Sequence, residues 1–522
     1  MSQKLEGLKL LLDEDLKERL ERIVPNHSGY HLLKESIDAR RRHDIHRVVS
    51  VEVFGKDEVI PPREIHISPI SYKGDKPIII GAGPAGLFAA LRLVERGIPC
   101  RLIERGSPAE KRLLAINRYW RYGVLNKEDN VCFGEGGAGL YSDGKLMTRI
   151  KSPHIPYIMR RLVEFGAPEE IEYLANPHVG SDRIRRIIPV IRKYLLSQGS
   201  EILFNTKVEE LLVSGQQITG VKTINAEGRV QNHTSSHVIL ATGHSAKDIY
   251  HMLHRSGVDL IGKSFAMGLR IEHPQSLINS VQYRGHEGHP KLGAANYKLT
   301  HFDEQTRVGV YSFCMCPGGY ILSSGTDEDG VVCNGMSNYH RNSPLANSGI
   351  VVSLDYKSLF GDDVFAGLNF QHALEKACKE AVVRGGGTKQ IPAQKTKDFL
   401  SSKVSDKLLK SSSPSGVTPV DFNEILPPFL LSALKEGLKD FSRKMPGFDG
   451  ADSQLHGLES RTSSPLRVPR NPDTLESTSH RGLYPVGEGA GYAGGITSAA
   501  ADGINAAEAI VRAVSSQTLA IR

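Results

Sequence analysis

The sequence predicts an α/β fold: a parallel sheet flanked by helices and discontinuous along the chain, an inserted mixed α+β domain, and a small α+β domain in front of both. Three observations predict it. Ile78, Ile79 and Ile80 run into a glycine-rich turn and an apolar helix; Val238, Ile239 and Leu240 run into Ala241-Thr242-Gly243; and the stretch from Leu483 forms a strand and a Gly-rich turn before an Ala-rich helix. Such continuous apolar runs belong to strands buried on both faces, as in parallel sheets. Between the second and third runs, residues 262–470 change to strand-like alternation with many Gly, Pro and Ser.

In chain order, residues 5–23 and 31–43 read as amphipathic helices and residues 47–54, RVVSVEVF, as a half-buried strand. The cluster Arg40-Arg41-Arg42-His43 falls at a predicted helix end, where cations complement the dipole. Pro61-Pro62 closes this unit, and a connector through Tyr72, Lys73 and Gly74 leads on. The predicted boundaries are 1–73 for the N-terminal domain, 74–261 with 471–522 for the parallel-sheet domain, and 262–470 for the insertion.

The first strand enters GAGPAG, where each glycine has its own task. Gly81 permits the tight turn, Gly83 lets the backbone approach a pyrophosphate, and Gly86 allows the helix to pack on the strand. Pro84 sits where a helix can spare an amide hydrogen. Leu87, Ala90, Leu91 and Val94 give that helix one face, and its N-terminus directs orphan N–H groups at phosphate. Gly97 ends it. The following strand, from Cys100, finishes at Glu104, about 20 residues beyond the glycines, where a carboxylate takes the hydroxyls of an adenosine ribose. The unit is a Rossmann-like dinucleotide site.

A helical stretch follows, then FGEGGAGLYSDGKL, residues 133–146, with four glycines between Gly134 and Gly139; such density means backbone passing close to something flat or charged. Residues 181–198 read as a basic amphipathic helix, 200–208 as one strand, and the segments around Gln216 and Gly228 as a hairpin-like pair. Arg384-Gly385-Gly386-Gly387 lacks a preceding strand and a downstream acid, so it reads as a loop. Residues 411–415 read as a mobile loop, and residues 497–514 as the last helix.

Composition narrows the class. With 39% hydrophobic and 24% charged residues and no long apolar run, the 522-residue chain reads as soluble, without a membrane span or a secretory leader. Six scattered cysteines in a chain this long make no disulfide scaffold, so free thiols and a cytoplasmic location are expected. A net charge of +7 is mild, and residues 1–75 hold 13 Lys and Arg against 14 Asp and Glu, which argues against nucleic acid as a partner. No metal-ligand pattern stands out.

GAGPAG with Glu104, the strand into Ala241-Thr242-Gly243, and LYPVGEGAGYAGGI together resemble the glutathione-reductase-like, two-dinucleotide-binding flavoproteins. Within them, FGEGGAGLYSDGKL, SFCMCPGG and GLESRTSSP resemble a group of FAD-dependent dehydrogenases whose substrates are largely unassigned. The resemblance spans nearly the whole chain. It implies non-covalent FAD in the Rossmann-like domain, with Glu488 where that superfamily usually has Asp. A helix beginning near Gly494-Gly495-Ile496 aims its positive end at the pyrimidine edge of the flavin. The cofactor-binding candidates are Gly81, Gly83, Pro84, Ala85, Gly86, Glu104, Arg105, Gly137, Gly139, Ser142, Val208, Ala241, Thr242, Gly243, Gly487, Glu488, Gly494, Gly495 and Ile496. The turn Ser142-Asp143-Gly144-Lys145 closes over the isoalloxazine or serves as a helix cap.

No second strand-GxGxxG-helix unit occurs, so NAD(P)H binds transiently over the flavin, or electrons come from a substrate or a protein donor. The catalytic candidates are Arg461, as a guanidinium for a carboxylate or the flavin O2, His273 and Cys316. Alternation places Arg270 and Glu272 on one strand face, where an ordinary surface ion pair competes with a substrate clamp. It also places Cys314 and Cys316 on one face, where an extended strand gives strained disulfide geometry and speaks against a redox pair. The leading expectation is an FAD-dependent oxidoreductase acting on a small organic substrate by hydride transfer. Two other readings remain open: a flavin-dependent RNA-modifying enzyme and a non-enzymatic flavin-bound redox sensor.

Overall fold

The computed structural model describes residues 2–40 and 44–520, with side chains through residue 516. Arg41, Arg42 and His43 of the basic cluster lie outside the described residues; Arg40 pairs with Asp38 at 2.5 Å.

A five-stranded parallel sheet organises the first half, in the order Leu483–Pro485, Val238–Leu240, Ile78–Ile80, Arg101–Ile103, Glu201–Leu203. Its central strands are buried on both faces, as their uninterrupted apolar runs require. Helix Pro84–Glu95 lies against the last helix, Ile496–Ala520, so closely that a Cβ on Gly503 would sit 2.0 Å from the Ala85 carbonyl oxygen. Arg92 and Arg96 both bond Glu508 across this crossing.

A seven-stranded sheet occupies the insertion, ordered Thr300–Asp303, Val308–Cys316, Leu345–Leu354, Phe265–Pro274, Gln454–Glu459, Ile391–Lys395, Val417–Pro419. All its pairings are antiparallel except the last. Helices Pro428–Lys444 and Ala366–Arg384 cover it, so Phe265–Pro274 is buried along nearly its whole length. A reading of alternation that assumes one wet face fails here. Arg270 and Glu272 form no surface pair; both are interior groups.

The N-terminal unit departs from expectation. Gln3–Leu11 and Gly29–Asp38 are strands, and only Leu16–Ile23 is helical. His46–Phe54 pairs with both strands in one antiparallel sheet. The register slips between Leu5 and Leu8, with Gly7 at φ +68°, and again between Leu32 and Lys34. Each bulge adds a residue, turning a spacing of two into three, which mimics a helical period.

The segment expected as one strand at 200–208 is also two. Asn205, at φ +50°, ends Glu201–Leu203 and redirects the chain into Thr206–Ser214, the first strand of a three-stranded antiparallel sheet. The loop at 411–415 is anchored rather than loose. Ser413 and Ser415 are buried, and the Ser412 amide donates to Glu272. Among the described residues no helix is long and apolar enough to cross a membrane.

Candidate active site

The phosphate end of the site is built by the first turn. Gly81 has φ +101°, and a Cβ there would lie 2.4 Å from the Ala241 carbonyl oxygen; on Gly86 it would lie 1.9 Å from that of Gly81. Gly83 is different: the nearest atom to its missing Cβ is 3.9 Å away. Protein packing explains two of the glycines but not Gly83, whose open side faces the space a pyrophosphate would fill. The helix beginning at Pro84 has no side-chain cap and no acidic residue in its first turn, leaving its N–H groups for an anion. The groups present therefore fit a dinucleotide.

Glu104 is buried, and three main-chain amides donate to it: Ala82 at 2.8 Å, Gly106 at 3.0 Å and Gly134 at 2.8 Å. A carboxylate has about four acceptor positions, so roughly one remains for a ribose hydroxyl rather than the two of the simple motif reading. The same carboxylate fastens the second glycine segment to the first. Arg105 stacks 4.3 Å from the Phe133 ring centroid and pairs with Glu128 and Asp248. Val208 is buried in the strand that leaves Asn205.

The second glycine segment lies on the first. The Gly136 amide donates to the Ala82 carbonyl at 2.8 Å, and a Cβ on Gly137 would come 3.1 Å from the Gly83 Cα. Gly139 touches Pro84 on one side and Ile496 on the other, its missing Cβ 3.4 and 3.5 Å from their side chains. Three stretches far apart in sequence thus meet at one glycine. Arg112, which motif reading missed, holds the loop from beneath. Its fully buried guanidinium donates to the carbonyls of Glu135, Gly137, Asn130 and Val131 at 2.7 to 3.0 Å. The Ser142 hydroxyl donates to the Gly139 carbonyl at 2.7 Å and accepts from the Gly144 amide, so it closes the turn that ends the short helix Gly137–Tyr141.

In the third segment, Gly487 has φ +74° and its amide donates to Asp502 at 2.8 Å; Arg470 grips the same carboxylate. Asp502 was also missed, although an acid in the Ala-rich stretch that opens the last helix is a signal. Glu488 accepts from the Ser464 amide at 2.8 Å and lies against Gly494, where a Cβ would be 2.2 Å from its carboxylate oxygen. Gly495 precedes the last helix, and the Thr497 hydroxyl donates to the Leu146 carbonyl at 2.7 Å, tying that helix start to the second glycine segment. Behind Ala241, Thr242 and Gly243 stands His244. Its Nε2 is buried without a hydrogen-bond partner, and burial lowers its pKa against the pull of Glu488. An unsatisfied polar atom of this kind is costly in a finished site, and it is another mark of a bound group.

The three catalytic candidates do not meet at one point. Arg461 is committed: both Glu375 oxygens accept from it at 3.1 and 3.0 Å, and Thr326 at 2.8 Å. The guanidinium expected to grip a substrate carboxylate is already gripped by one of the chain's own. Lys247 bonds Asp327, His372 and Glu375, so its ammonium sits within the only carboxylate and imidazole group among the described residues spaced to hold a metal ion. Burial pushes the Glu375 carboxyl up, but Arg461 and Lys247 more than offset it and hold it at about 2.

His273 lies in the inserted sheet, packed on Tyr297 and Phe448, with Nε2 2.7 Å from the Phe448 carbonyl oxygen. Burial pushes its imidazole down to about 4. Walled in by aromatic rings, it does not reach the flavin segments. Arg270 is bidentate to Glu459 at 2.7 and 2.8 Å and also donates to Asn347. Cys316 is buried at the end of a strand that is not extended there: the register breaks between Phe313 and Cys316, and Cys314 has φ +44°. The expectation of two thiols on one face of a regular strand is corrected accordingly.

The model of the FAD-dependent protein, C-terminal domain-like family matches residues 264–462, and that of the FAD binding domain matches residues 76–113. An uncharacterized protein of Clostridium beijerinckii is 40% identical over 535 residues, covering 98% of this chain and 99% of that protein. The NADH:fumarate oxidoreductase of Klebsiella pneumoniae is 25% identical over 195 residues, 32% of this chain and 20% of that enzyme. Among solved structures, a geranylgeranyl bacteriochlorophyll reductase-like protein of Thermoplasma acidophilum shares 15% identity over 85% of this chain and 79% of that one, with a TM-score of 0.35. On the full-length match the chain belongs to the family of the Clostridium beijerinckii protein, and the two family models make it an FAD-dependent protein.

Proposed function

We propose that this protein is an oxidoreductase that passes a hydride between non-covalently bound FAD and a small organic substrate, and that it belongs among the glutathione-reductase-like flavoproteins. The observation that carries this reading is Gly139, in contact with both Pro84 and Ile496. It joins a phosphate-binding helix start to a second helix start through a side-chain-free loop. Bound FAD supplies two-electron chemistry. The chain supplies the rest. The amides after Gly83 hold the pyrophosphate, Glu104 reaches a ribose hydroxyl, and the start of helix Ile496–Ala520 favours negative charge at the flavin's pyrimidine edge. Residues 262–470 form the substrate and lid domain, which excludes water from the reacting face.

The Klebsiella relative, an NADH:fumarate oxidoreductase, makes NADH the first donor to try. The test is anaerobic reduction by NADH, NADPH and small alcohols and amines, each also deuterated at the transferred position. A primary isotope effect on the bleaching of flavin absorbance is expected; reduction by one-electron donors alone would overturn hydride transfer. Denaturation should release intact FAD. Flavin that stays with the precipitated chain, or recovery of FMN, would overturn the non-covalent assignment.

A further inference from the structure

Arg461 is committed to Glu375, which leaves the charge of a substrate without its expected anchor at the flavin end of the site. The segment that follows the second glycine run supplies another. Leu146 is buried and its carbonyl accepts from the Thr497 hydroxyl at 2.7 Å, near the start of the last helix. Lys145, Met147 and Arg149 alternate with it and are all more exposed. Such strand-like alternation puts their three side chains on one face. Across from that face is Lys298 of the insertion, with Nζ 3.6 Å from Met147 Sδ. Met147 stands between the two cations of its own segment, so Lys145, Arg149 and Lys298 gather where the two sheets' domains meet.

Little negative charge balances them. Lys145 donates to the Met315 carbonyl and has Asp143 at 3.8 Å, but that carboxylate is buried and already gripped by Arg341. Among the described residues neither Arg149 nor Lys298 has an ion-pair partner, and both are exposed. Burial, then the charges of Arg149 and Lys145, lower the Lys298 ammonium from its ordinary value. Cations that disfavour one another's charge are relieved by an anion set between them.

We propose that Lys145, Arg149 and Lys298 anchor the charged group of the substrate, which is a small organic anion, a carboxylate or a phosphate monoester. The inference rests on the reading above that sets the flavin ring at the start of helix Ile496–Ala520. An anion held here spans the junction: Lys145 and Arg149 come from one side of it and Lys298 from the other. A neutral compound of the same shape lacks that hold. Lysine ammonium groups act as point charges without the planar fork that matches one anion geometry, so both anion classes enter the test.

The FAD-loaded protein is photoreduced, and reoxidation of the flavin is followed with ferricyanide, a trianion, and with uncharged 1,4-benzoquinone as ionic strength rises. Ferricyanide should react fast at low salt and slow steeply as salt is added, because a cationic site raises the local concentration of anions. Benzoquinone should hardly respond. Arg149→Gln combined with Lys298→Gln should slow ferricyanide about tenfold at low salt and leave benzoquinone within about twofold. Both positions are exposed, so the fold is spared. Equal effects on the two acceptors, or none on ferricyanide, would overturn the proposal. Propionate, propyl phosphate and 1-propanol then probe the anchor itself. Propionate or propyl phosphate should slow ferricyanide more than sodium chloride of equal ionic strength, 1-propanol should not, and the stronger anion identifies the class. Slowing no greater than that by sodium chloride, or equal slowing by 1-propanol, would mean a diffuse field in place of a site and would overturn the anchor. No hydride moves in this assay, so a failure of the anchor is distinguished from a failure of the hydride reading.

Discussion

The first glycine turn and the inserted sheet both bury carboxylates, and they do so by opposite means. Glu104 is held by main-chain amides, of Ala82 at a separation of 22 residues and of Gly134 at 30. Glu459 and Glu375 are held by guanidinium groups, of Arg270 at a separation of 189 residues and of Arg461 at 86. A carboxylate clasped by backbone depends on the local path of the chain, which a motif encodes. One clasped by a distant arginine depends on the whole fold. The first arrangement suits a site that must still accept a ligand, and the second suits a scaffold that is complete without one.

The sharpest way to break the contrast is Arg270→Met. It leaves Glu459 buried and unpaired, which should cost about 3 to 5 kcal/mol of stability. Denaturant unfolding of the FAD-free protein would show it, and a loss below about 1 kcal/mol would mean the pair behaves as a surface bridge. Next comes acid. The Glu375 carboxyl is held down at about 2 in the folded state, against an ordinary value of 4.5. Its contribution is therefore complete above about pH 5 and is lost as the pH falls towards 2. The size is about 3 kcal/mol, with Asp327 shifted in the same direction. Glu375→Gln should flatten the fall in stability between pH 5 and 2, and an unchanged slope would remove Glu375 as its source.

Glu104→Gln replaces acceptor capacity with a donor facing amides, so it should weaken both FAD binding and the apoprotein, by about 1.5 to 3 kcal/mol at the site. Loss of FAD affinity with an unchanged melting temperature of the apoprotein would deny its structural half. Gly83→Ala is the smallest and most selective change. The new methyl meets no protein atom closer than 3.9 Å. The apoprotein should melt as wild type while FAD binding weakens by about 1 to 3 kcal/mol, measured by flavin fluorescence on dilution. Destabilised apoprotein would show that Gly83 serves packing after all.

The same contrast explains what was legible. The strand Ile78–Ile80, the helix Pro84–Glu95 and Glu104 follow from local pattern, because burial on both faces and fixed spacing leave a direct signature. The helix Ser181–Ser197 shows its period as plainly. Gln3–Leu11 does not, because Gly7 inserts a residue into the alternation and disguises a strand. Arg112, His244 and Asp502 went unseen for another reason. Their partners are backbone carbonyls, an unfilled polar contact, and a glycine amide together with the distant Arg470, none of which a local motif encodes. Arg461 was seen, but its partner Glu375 was not, and without the partner its role was misjudged.

Arg112 has one further consequence. Its guanidinium clasps two carbonyls of the second glycine segment and two of the residues just before it, and no carboxylate, so it draws that loop into shape when the protein folds. An incoming ligand then meets a surface already set, and little ordering entropy is left to lose at the moment of capture. Flavin-free chains emerging from synthesis should thus be receptive rather than unformed, and loading should follow the rate of encounter instead of waiting for a loop to settle.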